Sequence, residues 1–169
     1  MTVSIRRIRP DDGPVLRDVR LRALLDTPSA FARTHQEESA YPAARWRERA
    51  EWSAVGDHSV YFLSFATGEN IACGMVGGYL PGGAAIPDLV SMWVAPEHRG
   101  SSVAEDLVDH VVHWARMSNY PSIELWVTRG NDRAHAFYNR CGFRATGAHA
   151  PLPSDPCAEE LRMARTIEP

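Results

Sequence analysis

From Val103 to Met117 the apolar residues Val103, Leu107, Val108, Val111, Val112 and Ala115 fall at i, i+4, i+5, i+8, i+9 and i+12. That spacing predicts an amphipathic helix, and Glu105 and Asp106 sit in its first turn, where the helix dipole favours acids. A helix with one apolar face must cover something. The apolar run Asp88 to Val94 lies just before it, and Ile123, Leu125 and Val127 alternate just after it. Strand, helix, strand predicts a crossover onto a sheet that the helix covers, hence a mixed α/β layer structure with parallel pairing in this passage.

The remainder fits around that unit. Val3 to Arg9 reads as a first strand, and Pro10-Asp11-Asp12-Gly13-Pro14 supplies an N-cap candidate with a proline suited to a first helical turn. Val15, Leu16, Val19 and Ala23 then recur at helical spacing, with Arg17, Arg20 and Arg22 mostly off the stripe as a solvated face. Pro28 ends that helix, and a second is expected from Pro42 to Ser53. His58 to Ala66, Ile71 to Tyr79 and Asp88 to Val94, separated by Thr67-Gly68-Glu69-Asn70 and Pro81-Gly82-Gly83, read as an antiparallel meander. Asp132 to Arg140 reads as a helix with a glycine stop at Gly142, and Phe143 to Ala148 and Leu161 to Thr166 as two closing strands. No repeat or linker interrupts the 169 residues, so one domain over 1–169 is expected.

Charge and cysteine usage exclude several functions. A net charge of -3 argues against a general nucleic-acid binder, which normally carries a basic face. All 18 cationic residues are arginine, so the lysine of a phosphate-binding P-loop is missing along with its glycine spacing. Cys73, Cys141 and Cys157 form no CxxC, which fits a reducing compartment, and no His/Cys/acid cluster has zinc spacing. No stretch approaches the roughly 20 apolar residues that span a bilayer. A cytoplasmic protein with no membrane, metal or nucleic-acid partner is the expectation. Trp46, Trp52, Trp93, Trp114 and Trp126 read as core or interface aromatics.

The turn Arg99-Gly100-Ser101-Ser102-Val103-Ala104 is where chemistry can enter. A helix start exposes unpaired N–H groups and about half a positive charge, so a Gly/Ser turn there suits phosphate oxygens. The plainer reading is that Ser101 or Ser102 caps the helix. Downstream, Asn131-Asp132-Arg133-Ala134-His135-Ala136-Phe137-Tyr138-Asn139-Arg140-Cys141-Gly142-Phe143 completes a pattern. Taken together, Arg-Gly-x-x-x-Ala, the helix, and Asn-x-x-Ala-x-x-Phe-Tyr-x-x-x-Gly-Phe resemble the GCN5-related N-acetyltransferases, the GNAT family, and the likeness extends over nearly the whole chain.

The resemblance implies a fold: a central mixed sheet of six to seven strands flanked by about four helices, with a V-shaped splay between the fourth and fifth strands. It also implies acetyl-CoA as acyl donor and a primary amine of a small molecule or peptide as acceptor, joined by direct transfer through a tetrahedral intermediate. Arg99, Gly100, Ser101, Ser102, Val103 and Ala104 would hold the pyrophosphate, although Ser102 stands where the family usually has glycine. Main-chain groups of Met92, Trp93 and Val94 would pair with the pantetheine arm, a backbone N–H near Val94 would face the acyl oxygen, and Asn131 would meet the cofactor. Tyr138 would protonate the departing sulfur, since a phenol with pKa near 10 stays protonated at pH 7. Asp88 is the candidate base, working through water; the alternatives are an aromatic core residue for Tyr138 and a strand-edge turn cap for Asp88. The first two helices and the Tyr79 to Ala85 loop would hold the acceptor. Homodimerisation is common in the family. The rival reading is a non-catalytic acyl-CoA-binding or protein-interaction module of the same fold.

Overall fold

The computed structural model describes residues 3–168. In chain order these form strand β1 (Val3–Arg7), helices α1 (Gly13–Asp26), α2 (His35–Ser39) and α3 (Ala43–Ala54), and strands β2 (Ser59–Ala66), β3 (Ala72–Tyr79) and β4 (Asp88–Val94). Helix α4 (Val103–Met117), strand β5 (Ser122–Thr128), helix α5 (Asp132–Arg140) and strands β6 (Arg144–Leu152) and β7 (Asp155–Thr166) follow. The strands make a seven-stranded sheet in the order β1-β2-β3-β4-β5-β7-β6. Every neighbouring pair is antiparallel except β4 and β5.

That parallel pair sets up the site. β4 and β5 are in register only at Asp88 and Glu124, where the Glu124 N–H donates to the Pro87 carbonyl at 3.0 Å. Beyond it the strands diverge, and the edge of β4 that faces β5 has no strand partner from Leu89 to Val94. The splay falls between the fourth and fifth strands, as the resemblance implies.

Alternation along the strands builds a core on each face. On one face α4 buries Leu107, Val108, Val111 and Val112 against Val60, Val76, Leu89, Ile123, Leu125 and Val127. On the other, Leu16, Val19 and Ala23 of α1 and Trp46 and Ala50 of α3 cover Tyr61, Leu63, Met75 and Trp93. Packing is close enough that β3 needs its glycines: a Cβ on Gly78 would lie 2.5 Å from the Trp114 ring.

Four expectations change. There are five α-helices instead of about four, because α2 is too short to show a period; it is started by a capping box in which the Glu37 N–H donates to Thr34 Oγ1 and the Thr34 N–H to Glu37. Arg20, read as part of a solvated face, is 5% exposed, because it pairs with Glu38, itself 2% exposed. The closing hairpin is longer than the alternation suggested, since Pro151 on the edge strand and Pro156 near the turn are tolerated where no ladder bond is lost. Asp12 does precede α1, but its carboxylate accepts from Arg6 and from the Arg9 N–H instead of capping the helix.

Candidate active site in the sheet splay

The divergence of β4 from β5 opens a cavity of about 820 Å³. One wall is β4 from Asp88 to Val94; the other is formed by Trp126, Val127 and Thr128 of β5 with Ala134, Phe137 and Tyr138 of α5. At the outer end lie Gly100, Ser101 and Ala104, and around them His98, Arg99, Arg133 and Arg140 set four cationic or titratable side chains against one acid, Glu105. Gly100 has φ +79°, a left-handed bend with open space beside it, so the backbone can turn outward there without a side chain in the way. Among the described residues none accepts from the N–H groups of residues 100–105, so the start of α4 presents unpaired donors.

The candidate residues divide by what their side chains do. Gly100, Ser101, Ala104, Met92, Trp93, Val94, Asn131, Asp88 and Tyr138 all line the cavity. Ser102 and Val103 do not: the Ser102 hydroxyl donates to Asp106 at 2.9 Å, and Val103 is buried under the sheet. Arg99 lines the cavity but commits its donors to the Val94 carbonyl (2.9 Å) and to an ion pair with Asp26, thereby fixing the strand-to-helix turn. The same Asp26 accepts from Trp93 Nε1 at 2.9 Å, and these bonds, Trp93's first, hold its carboxyl below the usual range. Asn131 caps α5, accepting from the Ala134 N–H at 3.2 Å.

Tyr138 is 8% exposed, wedged edge-on between Phe137 and Phe143. Burial, with a contribution from Cys141, pushes its phenol well above the ordinary value, so it stays protonated throughout the physiological range. No protein group among the described residues takes its hydroxyl proton. Cys141 is itself pushed up to about 11, by burial first and then by Glu105 and Asp109, so it is a thiol and not a nucleophilic thiolate.

Asp88 sits at the closed end of the V. Burial raises its pKa, Arg162 at 3.1 Å opposes the rise, and Glu124 on the next strand adds to it. Arg162 also pairs with Glu124 and lies 4.8 Å over the Trp126 ring, so one guanidinium holds both carboxylates. The acceptor end differs from expectation. The Tyr79 to Ala85 loop contributes no lining residue; instead Thr27, Ala30, Phe31 and Ala32 close that end together with Pro153. This segment is pinned across the gap, since the Ser29 carbonyl accepts from Thr128 at 2.8 Å and the Phe31 carbonyl from Ser154 at 2.6 Å.

Sequence reasoning missed one group altogether. Ser91, the β4 residue with φ +57°, stands in a bulge where the β3 register skips from Met75/Trp93 to Gly77/Val90. Its hydroxyl is 2.8 Å from the Tyr61 hydroxyl and 3.4 Å from Arg20. Gly77 makes the reach possible, because a Cβ there would be 2.9 Å from the Tyr61 ring that crosses it. That glycine in a strand, opposite a tyrosine, was the available signal.

Residues 22–143 match the model of the Acetyltransferase (GNAT) family. Among curated proteins no relative matches the chain. Solved structures share its fold: a GNAT-family acetyltransferase from Streptococcus pneumoniae superposes with TM-score 0.83 at 19% identity, covering 99% of this chain and 100% of that one. The ribosomal-protein-S5-alanine acetyltransferase from Vibrio fischeri gives 0.81 at 12%, covering 99% and 94%. The PaiA N-acetyltransferase from Thermoplasma acidophilum, in complex with coenzyme A, gives 0.73 at 14%, covering 98% and 99%.

Proposed function

Because the chain belongs to the GNAT acetyltransferase family, whose members use acetyl-CoA, we propose that it is an N-acetyltransferase acting on a primary amine of a small molecule or peptide. We take residues 1–169 as one such domain. The residues present suit the donor: unpaired N–H groups at Gly100 to Ala104 with arginines around them suit a diphosphate, and the unpaired edge of β4 suits an amide-bearing arm. The observation that carries the reading is the splay, which frees that edge and places Asp88 and Tyr138 on one cavity.

Acetyl-CoA supplies an activated acyl carbon with a thiolate leaving group. The chain's own residues manage protons. An alkylamine with pKa near 10.4 is almost wholly ammonium at pH 7, so one proton must leave before the nitrogen can bond to the acyl carbon. Asp88 takes it, directly or through water, and passes it to solvent. As the carbon–sulfur bond breaks, Tyr138 donates its proton to sulfur and is reprotonated by the second proton of the former ammonium. The products are amide, thiol and one released proton. Among the described residues no cysteine lines the cavity, and Cys141 beside Tyr138 is held as a thiol, which supports direct transfer over a covalent acyl-enzyme.

A free-thiol assay over an amine panel, run beside calorimetry with acetyl-CoA, tests this. The expected result is saturable binding and amine-dependent thiol release. Binding without release from any amine points to the non-catalytic module; no binding to folded protein overturns the donor assignment.

A further inference from the structure

Tyr61, Arg20 and Glu38, buried, and Arg49 and Ser91, half-buried, form a chain behind the β4 bulge, and donor chemistry sets the direction of each hydrogen bond in it. Arginine only donates. Arg49 Nη2 donates to the Tyr61 hydroxyl at 3.2 Å, and Arg20 Nη1 to Ser91 Oγ at 3.4 Å. Between Tyr61 and Ser91, at 2.8 Å, either oxygen can donate. If Ser91 donated, the Tyr61 proton would be left without an acceptor on a side chain only 6% exposed, at a cost of roughly 1–3 kcal/mol. If Tyr61 donates, the proton left over is that of Ser91, which lines the cavity and can find a ligand. The second arrangement leaves no buried donor unpaired.

The chain is also cationic. Arg20 and Arg49 share one carboxylate, Glu38, which accepts from Arg20 Nε and Nη2 at 3.1 and 2.8 Å and from Arg49 at 3.3 Å. With Tyr61 neutral, two positive charges, Arg20 buried and Arg49 half-buried, stand against one buried negative charge. Such a field polarises each O–H toward the cavity, where Ser91 is the last donor. Burial pushes the Tyr61 phenol up, but Arg49 and Arg20 outweigh it and bring the phenol below its ordinary value, which makes it a stronger donor to Ser91.

Along β4 the order from the phosphate-suited turn inward is Val94, Met92, Ser91, Asp88. A donor lying on this edge with its sulfur toward Tyr138 and its reacting carbon toward Asp88 brings the acyl oxygen to the stretch that holds Ser91. We propose that the Ser91 hydroxyl is a catalytic hydrogen-bond donor to the acyl carbonyl oxygen, driven by the Tyr61–Arg20–Arg49–Glu38 chain behind it. It would act beside a main-chain donor of β4 and strengthen as negative charge gathers on that oxygen. Tyr61, and Gly77 that lets it pass, are positioning residues. The proposal rests on the acetyl-CoA reading above.

Ser91→Gly separates the hydroxyl from the bend, because glycine accepts φ +57° more readily than serine and should keep the bulge and the fold. The probe is acetyl-CoA carrying carbon-13 at the thioester carbonyl, followed by infrared difference spectroscopy on the bound complex. In the wild type the carbonyl stretch should lie below its solution frequency; in Ser91→Gly it should return most of the way, with Kd by calorimetry changed less than about threefold. Turnover with whichever amine the wild type accepts should fall on the order of 100-fold. Tyr61→Phe, which keeps Ser91, should move the band part of the way. An identical band in wild type and Ser91→Gly overturns the proposal while leaving the acetyl-CoA site standing, and so does a Ser91→Gly effect confined to acceptor KM. Failure of the wild type to bind acetyl-CoA overturns both.

Discussion

At Asp88 burial and charge pull in opposite directions. Its carboxyl is raised by burial, held back by Arg162 and raised again by Glu124, so it ends above its ordinary value and is a somewhat better base than a surface aspartate. A raised base pKa moves the acidic limb of kcat/KM upward from where an ordinary aspartate would set it, with activity lost as pH falls through it. Asp88→Asn should abolish that limb; an unaltered profile would assign the base elsewhere. Tyr138 has no such balance, since burial and then Cys141 both raise it, and its neutral phenol is available at every working pH. Tyr138→Phe should lower turnover by about tenfold or more with acetyl-CoA affinity nearly unchanged. Tyr138 could be singled out in the sequence because a motif contains it, and Asp88 because it opens the strand that leads to the phosphate-suited turn. Arg20 and Glu38 could not, since a helical wheel assigns charges to solvent and cannot reveal that an acid 18 positions away folds back to form a bidentate pair at 2.8 and 3.1 Å.

Elements differ in legibility for a similar reason. The period of α4 spans four turns and its boundaries could be read directly, whereas α2 has five residues and no room for a period. What sets α2 is the local Thr34–Glu37 box, and what it achieves is distant: it delivers Glu38 to Arg20 and Arg49. Thr34→Ala should therefore cost about 1 kcal/mol in a urea melt, from the lost cap. It should also weaken turnover if Ser91 depends on the chain behind it. The bulge in β4 was equally hidden, because Leu-Val-Ser-Met reads as ordinary strand and only the skipped register against β3 exposes Ser91 at positive φ. The splay itself came from the family likeness and not from periodicity: nothing in the alternation of Ile123, Leu125 and Val127 says that β5 leaves β4 after one pair.

Across the whole molecule the two halves of the sheet share the apolar core under α4, but along the strands they meet at the single Asp88–Glu124 register pair, where the Arg162 clamp adds charge, and ion pairs anchor the N-terminal core as well. Its response to pH follows from the signs of the shifts. At Glu38 burial raises the carboxyl, but Arg20 and Arg49 outweigh it; at Asp12 burial is likewise outweighed by Arg6 and the Arg9 N–H, so both end below their ordinary values. A carboxyl depressed in the fold contributes stability above its unfolded pKa, and that stability is lost as pH falls through the folded value. Asp88 and Glu160, raised mainly by burial, work the other way: they favour the fold when protonated, so their effect opposes the loss as acid is added. The paired acids should prevail below about pH 4, because at still lower pH protonation of Glu38 leaves the buried Arg20 and the half-buried Arg49 facing each other with no anion between them. Urea midpoints at pH 6 and pH 3 should thus differ more for the wild type than for Glu38→Gln, which is weaker at pH 6 and flatter toward acid. Parallel curves would mean that the pair contributes little to holding the N-terminal helices on the sheet, and that acid unfolding begins elsewhere.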